Sequence, residues 1–245
     1  MTVAAPREVR APAKLTLSLH ITGVRADGYH LLDAEMVTLD LADTLSFAEG
    51  DALTVSGPFA GGVPTDESNL IRRALRLVGR RAAVHVHKAI PAGGGLGGGS
   101  ADAAAVLRWA GVEDVSVAAA LGADVPFCLV GGRARVRSVG EQVEPLPLID
   151  RTFTLVTPPV AVSTPAVYRT WDELGGPTGG RNDLEPAALV VAPALARWRD
   201  RIREAAGQRP TLAGSGATWF VDGAHPDLAH ALPDASVVVT RTDRP

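Results

Sequence analysis

The chain has 245 residues, of which 46% are hydrophobic and 21% charged, and its formal net charge at pH 7 is −3. This profile indicates a soluble globular protein with one large domain or two smaller ones, and the absence of excess basic charge argues against a nucleic-acid partner. A single cysteine, Cys128, excludes an internal disulfide, and the first residues contain no apolar run of membrane-spanning length. We therefore expect a cytoplasmic protein that does not bind membranes.

The first half of the chain is predicted to mix strands with short helices. In chain order, the hydrophobic pattern predicts strands at 8–22, 36–47 and 51–57, a helix at 65–78, a strand at 82–90, and helices at 100–110 and 115–121. The pair Asp27-Gly28 predicts a turn after the first strand.

The second half continues the mixture after a proline-containing stretch, PLPLID, which separates strands predicted at 133–140 and 153–158. We place a domain boundary in that stretch, which gives domains at 1–148 and 149–245. The remaining pattern predicts helices at 165–174 and 186–206, short strands on both sides of Gly214-Ser215-Gly216, a helix at 226–232 and a strand at 236–240. Strands and helices without strict alternation favour an α+β fold.

The segment 91–107, PAGGGLGGGSADAAAVL, places a glycine-rich turn between a predicted strand and a predicted helix. Glycines let backbone N–H groups converge on phosphate oxygens, and the helix N-terminus adds the positive end of its dipole. Ser100 stands where the helix is predicted to begin, so its hydroxyl could cap the helix or contact a phosphate. The loop lacks the Gly-Lys-Ser/Thr of a Walker A motif, and a dinucleotide fingerprint fits any glycine run too easily to be informative. A flexible linker is disfavoured because an ordered helical pattern follows at once.

Lysine is scarce in this chain, because Lys14 and Lys88 are the only lysines among 24 basic residues. A lysine ammonium is a compact point charge, whereas an arginine guanidinium is a wide fork. These two positions are therefore candidates for roles that arginine cannot fill, with chance as the alternative.

The glycine loop resembles the phosphate loop of the GHMP kinases, the superfamily of galactokinase, homoserine kinase and mevalonate kinase. Five further segments, in the same order, resemble the 4-diphosphocytidyl-2-C-methyl-D-erythritol kinases within it: APAKLTLSLHITGVRADGYHLL (11–32), SNLI (68–71), LGADVPFCLVGG (121–132), GRNDLEP (180–186) and LAGSGATWF (212–220). The resemblance covers most of the chain. It implies ATP- and Mg²⁺-dependent phosphorylation of the 2-hydroxyl of diphosphocytidyl-methylerythritol, a step of the non-mevalonate isoprenoid pathway. The implied fold joins an N-terminal domain like ribosomal protein S5 domain 2 to a C-terminal ferredoxin-like domain, with the active site between them.

Two residues are the catalytic candidates. Asp124, in GADVPF, can accept a hydroxyl proton during phosphoryl transfer; from its position alone, a cap or turn role before Pro126 is an equal alternative, and the resemblance favours catalysis. Lys14 resembles the lysine that pairs with this aspartate and stabilises charge on the transferred group. A solvated strand lysine is the alternative for Lys14.

The resemblance also implies two binding sets. The ATP set comprises the loop with two flanking residues: Asn69, Lys88, Pro91, Gly93, Gly94, Gly95, Leu96, Gly97, Gly98, Gly99 and Ser100. A helix cap and a surface strand position are the alternatives for Asn69 and Lys88. The acceptor set comprises two tyrosines that would sandwich cytosine, a histidine that would bond its polar edge, and four further residues: Tyr29, Tyr168, His30, Thr16, Thr164, Gly214 and Ser215. Thr16 stands where the family commonly has asparagine, which places acceptor geometry in question.

Other readings remain open at this stage. His85 and His87 have a spacing that can bind metal, but we interpret them as exposed strand residues and predict no protein metal site. Asp183 is expected to fix loop structure, with capping of the following helix as one way to do so. Competing functions are another GHMP small-molecule kinase, a nucleotide-binding paralogue without activity, and a dinucleotide-dependent oxidoreductase. The protein could be a monomer or a homodimer.

Overall fold

The computed structural model describes residues 7–177 and 179–244. Its first sheet has six strands: β1 (Arg7–Val24), β2 (His30–Ala48), β3 (Leu53–Ser56), β4 (Ala83–His87), β5 (Arg133–Ser138) and β6 (Gln142–Leu146). The order is β3-β4-β2-β5-β6, with β1 paired to β2 along its length. The β3–β4 pair is parallel and the other pairs are antiparallel. The long β1–β2 hairpin places Lys14 opposite Thr38 in the middle of this sheet.

Four helices accompany this sheet: α1 (Leu70–Leu77), α2 (Gly98–Ala110), α3 (Val115–Ala119) and α4 (Val125–Val130). Helix α2 contacts β1, β2, α1 and α4, and every residue from Ala101 to Leu107 is buried. Its many alanines allow neighbouring elements to approach closely on all sides. The glycine loop therefore leads into the most enclosed helix of this half of the molecule.

The second sheet has four strands: β7 (Thr152–Thr157), β8 (Thr211–Leu212), β9 (Trp219–Asp222) and β10 (Ser236–Arg241), in the order β10-β7-β9-β8. The accompanying helices are α5 (Thr164–Glu173), α6 (Glu185–Val191), α7 (Ala194–Ala206) and α8 (Leu228–Ala231). Phe153 and Phe220 pack edge to face in its core, with ring centroids 5.7 Å apart. The predicted α+β class is confirmed.

The two sheets share a core and several backbone contacts. Leu15, Leu39, Leu96 and Phe220 belong to one buried cluster that draws on both halves of the chain. Leu19 of β1 receives a hydrogen bond from the N–H of Asp183 at 2.9 Å, so the first strand is also tied to the loop before α6. The predicted domain boundary falls between β6 and β7, and the division at 148/149 stays a prediction.

Some elements differ from the sequence prediction. Helix α4 and strand β6 were not predicted, because a six-residue and a five-residue segment are too short to show a period. The helix predicted at 186–206 is two helices, since the chain breaks at Pro193. Helix α1 begins only after its cap, Asn69, and α2 begins two residues before the predicted start. Within the described ranges, no helix is long and apolar enough to cross a membrane.

Candidate active site

Lys14 and Asp124 form an ion pair where β1 meets the start of α4. The Lys14 ammonium lies 3.3 Å from Asp124 Oδ2 and donates a hydrogen bond of 3.1 Å to Thr16 Oγ1. The lysine side chain is 6% exposed, whereas that of Asp124 is 35% exposed. The Asp124 side chain makes no capping hydrogen bond to α4. A carboxylate that is not used as a cap, stays open to solvent and touches a buried ammonium is suited to accept a proton from a ligand.

The glycine loop packs against Lys14 and against the second sheet at distances that only glycine allows. A Cβ on Gly97 would lie 2.8 Å from Lys14 Cγ, and one on Gly95 would lie 2.3 Å from the carbonyl oxygen of Ala213. Both glycines have positive φ, +70° and +77°. The loop carbonyl of Leu96 also accepts a 3.0 Å hydrogen bond from the backbone N–H of Lys14. The loop is thus held directly above the ion pair.

The loop lines a cleft of about 420 Å³ whose wall also includes Pro64 and Asn69. Helix α2 begins at Gly98 with Gly97 as its cap residue, so Ser100 lies inside the first turn, not at the cap as the sequence suggested. The first N–H groups of an α-helix have no partner within the helix. This end of α2 therefore presents donors and a positive dipole end to the cleft, as an anion site requires.

Asn69 is engaged as the cap of α1. Its Oδ1 accepts a 2.8 Å hydrogen bond from the N–H of Ile71, and its Nδ2 donates to the carbonyl oxygen of Pro64 at 2.6 Å. The helix-cap role that was the alternative for Asn69 is thus observed. Asn69 also lines the cleft. A direct contact with nucleotide stays a prediction.

Lys88 lies beneath the glycine loop in a buried cluster of charges. Its ammonium donates hydrogen bonds to Asp43 Oδ2 and, at 2.6 Å, to Asp102 Oδ2. Burial lowers the pKa of Lys88, but the two neighbouring carboxylates outweigh it and hold the pKa above its ordinary value. Burial is also the largest cause that raises the pKa of Asp102, to about 7. Lys88 and Asp102 both line the cleft. Sequence reasoning missed Asp43, because its place beside Lys88 depends on strand register.

The aromatic residues predicted to bind a base line a second cleft of about 910 Å³. The His30 and Tyr168 rings lie 4.8 Å apart between centroids, and His30 Nε2 is 2.7 Å from Asp172 Oδ1. Burial raises the pKa of the Tyr168 hydroxyl above its ordinary value. Tyr29 is 61% exposed, with the Arg25 guanidinium over its ring. An exposed tyrosine, Tyr29, and a partly buried one, Tyr168, therefore line the same cleft as His30.

The loop at Gly214-Ser215 closes the arrangement from the second sheet. A Cβ on Gly214 would lie 3.8 Å from Lys14 Nζ, and Ser215 Oγ lies 2.7 Å from Thr164 Oγ1. Asn182, which the sequence analysis did not single out, holds this loop by donating to the carbonyl oxygen of Gly214 at 2.7 Å. Thr16 and Gly214 therefore lie next to Lys14 of the ion pair, and Thr164 and Ser215 contact each other.

Asp183 was expected to fix its loop, with capping of the following helix as one way to do so, but no such cap is observed. Its Oδ2 instead accepts a 2.9 Å hydrogen bond from the N–H of Ile21 on β1, and Asn182 Oδ1 accepts from the N–H of Leu184. Asp183 therefore fixes the loop against β1, while Asn182 holds the backbone of Leu184 just before α6, a helix that has no side-chain cap. On β4, His85 contacts the hydroxyls of Thr54 and Ser56. No group of three or more metal-ligating side chains occurs among residues 7–177 and 179–244.

Comparison with known proteins identifies the family of this chain. Residues 69–132, which include the glycine loop and Asp124, match the GHMP kinases N terminal domain. The chain is 43% identical over 237 residues to the 4-diphosphocytidyl-2-C-methyl-D-erythritol kinase of Paracoccus denitrificans (strain Pd 1222), with 87% of this chain and 86% of that protein covered. It is 38% identical over 268 residues to the same enzyme of Ruegeria pomeroyi (strain ATCC 700808 / DSM 15171 / DSS-3), with 97% and 95% covered. The chain belongs to the 4-diphosphocytidyl-2-C-methyl-D-erythritol kinase family.

Solved structures of other kinases have the same fold as this chain. A crystal structure of 4-(cytidine 5'-diphospho)-2C-methyl-D-erythritol kinase is 32% identical, covers 97% of this chain and 100% of its own, and has a TM-score of 0.76. The Methanococcus jannaschii mevalonate kinase is 14% identical with a TM-score of 0.61, covering 98% and 99%, which shows the shared fold alone. The predicted GHMP kinase fold is confirmed, and the protein is an ATP-dependent GHMP kinase.

Proposed function

We propose that this kinase transfers the γ-phosphoryl group of ATP to the 2-hydroxyl of 4-diphosphocytidyl-2-C-methyl-D-erythritol. The observation that carries the proposal is the Lys14–Asp124 pair, 3.3 Å apart. Lys14 lies under Gly97 of the phosphate loop, while Ala123 and Pro126, on either side of Asp124, line the aromatic cleft. The pair therefore lies where a nucleotide in one cleft and an acceptor in the other would meet.

The ATP phosphates would occupy the glycine-loop cleft. Loop N–H groups and the first turn of α2 supply donors there, and the glycines allow the backbone to approach phosphate oxygens closely. Asn69 and Lys88 flank the loop, so their contribution to nucleotide binding is part of this proposal. Binding at a fixed backbone surface aligns the γ-phosphorus with the acceptor hydroxyl, which is the main contribution of a kinase to this chemistry.

The acceptor would place its cytosine in the aromatic cleft. Tyr29 and Tyr168 offer ring faces for stacking, and His30 offers a ring nitrogen for the polar edge of the base. Thr164, hydrogen-bonded to Ser215, lies on the side of the cleft formed by α5. Recognition of the base would hold the distant hydroxyl near Asp124.

The chemical step then needs one proton acceptor and one cation. The acceptor oxygen forms a bond to the γ-phosphorus, the bond from that phosphorus to the β–γ bridging oxygen breaks, and ADP leaves with those electrons. Asp124 accepts the proton of the attacking hydroxyl. The Lys14 ammonium, positioned by Thr16, stabilises negative charge on the transferred group.

The proposal also covers how Mg²⁺ reaches the site. Because the described parts of the chain contain no group of three or more metal-ligating carboxylates, histidines or cysteines, we propose that Mg²⁺ enters bound to the ATP phosphates. There it would neutralise phosphate charge.

A cytoplasmic location is supported by the single, buried Cys128. A monomer or a homodimer fits the proposal equally.

The first test is ADP release with ATP, Mg²⁺ and diphosphocytidyl-methylerythritol, for wild type and Asp124→Asn. The variant should lose about 10²- to 10⁴-fold in kcat, the contribution of a general base. The exposed Asp234→Asn serves as a control and should match wild type. If wild type binds ATP but does not turn over with this acceptor, the acceptor assignment fails and Thr16 is the first position to alter. If Asp124→Asn remains fully active, the base assignment fails.

A second test separates this acceptor from those of other GHMP kinases. Tyr29→Ala removes an exposed ring, so we expect an unchanged melting temperature, an unchanged KM for ATP, and a KM for the acceptor raised about 5- to 150-fold, because base stacking contributes roughly 1–3 kcal/mol. Val190→Ala, an exposed apolar residue on α6, is the matched control. An acceptor KM that does not respond to Tyr29→Ala would favour an acceptor without a base, such as homoserine or a sugar.

A further inference from the structure

The buried cluster under the glycine loop contains one more carboxylate than ammonium. Asp43, Lys88 and Asp102 are 0%, 4% and 4% exposed. With both carboxylates ionised, the cluster carries a net negative charge in a low-dielectric site next to the cleft proposed for phosphates. Such a charge is costly unless a proton neutralises it.

The hydrogen bonds identify which carboxylate can take up that proton. Asp43 Oδ1 accepts from the N–H groups of Ala89 at 2.6 Å and Ile90 at 2.9 Å, and its other oxygen accepts from Lys88. Asp102 accepts only through Oδ2, and its buried Oδ1 has no hydrogen-bond partner among the residues that the structure describes. Donors to a carboxylate favour its charged form. Both oxygens of Asp43 are therefore occupied by donors, and Oδ1 of Asp102 is the open position for a proton.

The other charged groups around Asp102 do not replace it in this role. On α4, burial raises the pKa of the Cys128 thiol to about 12, so it stays neutral. On α1 the charged side chains are arginines, which stay protonated. On β1, Lys14 is paired with Asp124. The pKa of Asp102 is raised to about 7 by burial first, opposed by Lys88 and supported by Asp43.

The cluster is close enough to the loop to respond to a ligand. Asp43 Oδ2 lies 3.5 Å from the position of a Cβ on Gly98, the first residue of α2, and Lys88 and Asp102 line the loop cleft. The phosphates of ATP bring several negative charges to this cleft. Their field acts in a site of low dielectric constant, where it favours the neutral form of a neighbouring carboxyl.

We propose that Asp102 takes up a proton when the phosphates of ATP bind the glycine loop. The inference rests on the proposed function, since it requires ATP at the loop. ATP affinity should then fall as the pH rises through neutrality, because binding to the ionised form must bring a proton with it.

The test is calorimetric titration of the protein with Mg²⁺ and β,γ-imido-ATP at pH 7.5, in buffers with different heats of ionisation. The slope of observed enthalpy against buffer ionisation enthalpy gives the protons taken up. Wild type should take up more protons than Asp102→Asn. Asp114→Asn, an exposed cap residue on α3, is the matched control and should behave as wild type. Any proton change of the nucleotide itself is common to all three proteins and cancels.

Each outcome has one meaning. Equal slopes for wild type and Asp102→Asn overturn the inference, as does weaker ATP binding of the variant by the same factor at every pH from 6 to 8.5, which is what a merely structural role predicts. If Asp102→Asn does not fold, the pH dependence of Kd in wild type decides, and a flat profile overturns the inference. If wild type does not bind the nucleotide at all, the proposed ATP site fails first, and the inference fails with it.

Discussion

The two lysines of this chain lie in ion pairs of different kinds. Lys14 contacts one carboxylate, Asp124, whose side chain is 35% exposed. Lys88 is enclosed by two carboxylates, Asp43 and Asp102, whose side chains are 0% and 6% exposed. Both lysines lie under the same glycine loop, so the loop joins an open ion pair to a sealed one.

The difference shows how one type of side chain serves two purposes. An open pair leaves its carboxylate accessible to a ligand, with the ammonium directly beside it, so their charges can act on a reaction. A sealed pair neutralises charge that cannot be hydrated, so its loss leaves an uncompensated buried ion. The kcat should therefore depend on the Lys14 pair and stability on the Lys88 cluster.

The largest effects should come from replacing each lysine with methionine. Lys14→Met should lower kcat about 10²- to 10³-fold, the loss expected for one group that stabilises transition-state charge. Its free energy of unfolding should change by about 1 kcal/mol or less, because Asp124 remains hydrated. Lys88→Met should lower the free energy of unfolding by about 3–5 kcal/mol, because the buried carboxylate cluster loses its only cation. Steady-state kinetics and urea unfolding measure the two quantities.

The comparison fails if the two variants behave alike. A Lys88→Met protein as stable as wild type would mean that Asp43 and Asp102 are neutral or hydrated in the folded state. A Lys14→Met protein with normal kcat would remove this lysine from the chemical step. Lys88→Arg tests the cavity: the wide guanidinium fork should not fit the space of a compact ammonium, so it should restore little stability.

Much of the first site could be predicted from the sequence, while little of the second could. Asp124 and Lys14 lie in motifs that resemble those of a known family, and the scarcity of lysine pointed to both lysines. The cluster around Lys88 depends on pairing between strands: Thr44 opposes His87 in the β2–β4 ladder, which brings Asp43 beside Lys88. In the sequence, Asp43 is only one polar residue in an alternating strand.

The elements show the same limit. Strands β1 and β4 and helix α2 were predicted because their patterns are long or clearly bounded. Helix α4, which begins directly after Asp124, has six residues and too few turns to show a period. The exposure of Asp124 follows from how this short helix packs, so its chemical suitability could be judged only in three dimensions.

A smaller effect should come from the glycine that separates the loop from Lys14. An alanine Cβ at Gly97 would lie 2.8 Å from Lys14 Cγ, which would push the ammonium away from Asp124. Gly97→Ala should lower kcat about 10- to 100-fold, since a displacement of about 1 Å can cost that much. The positive φ adds a loss of about 1–2 kcal/mol in folding free energy.

Gly207→Ala separates these two causes. Gly207 has φ +67°, and a Cβ there would meet no atom within 4 Å. The two variants should therefore lose similar stability in thermal unfolding, and only Gly97→Ala should lose kcat. Equal kinetic loss in both would show that backbone strain, not contact with Lys14, is responsible.

The smallest expected effect concerns the hydroxyl that positions Lys14. Thr16 is 2% exposed, and its Oγ1 accepts a 3.1 Å hydrogen bond from the lysine ammonium. Thr16→Val keeps the shape and removes the acceptor, so kcat should fall about 2- to 10-fold, because a net hydrogen bond contributes roughly 0.5–1.5 kcal/mol. Thr16→Ser keeps the hydroxyl and should stay closer to wild type than Thr16→Val. If Thr16→Val stays near wild type while Thr16→Ser loses activity, packing of the methyl group governs this position, and the hydrogen bond to Lys14 is incidental.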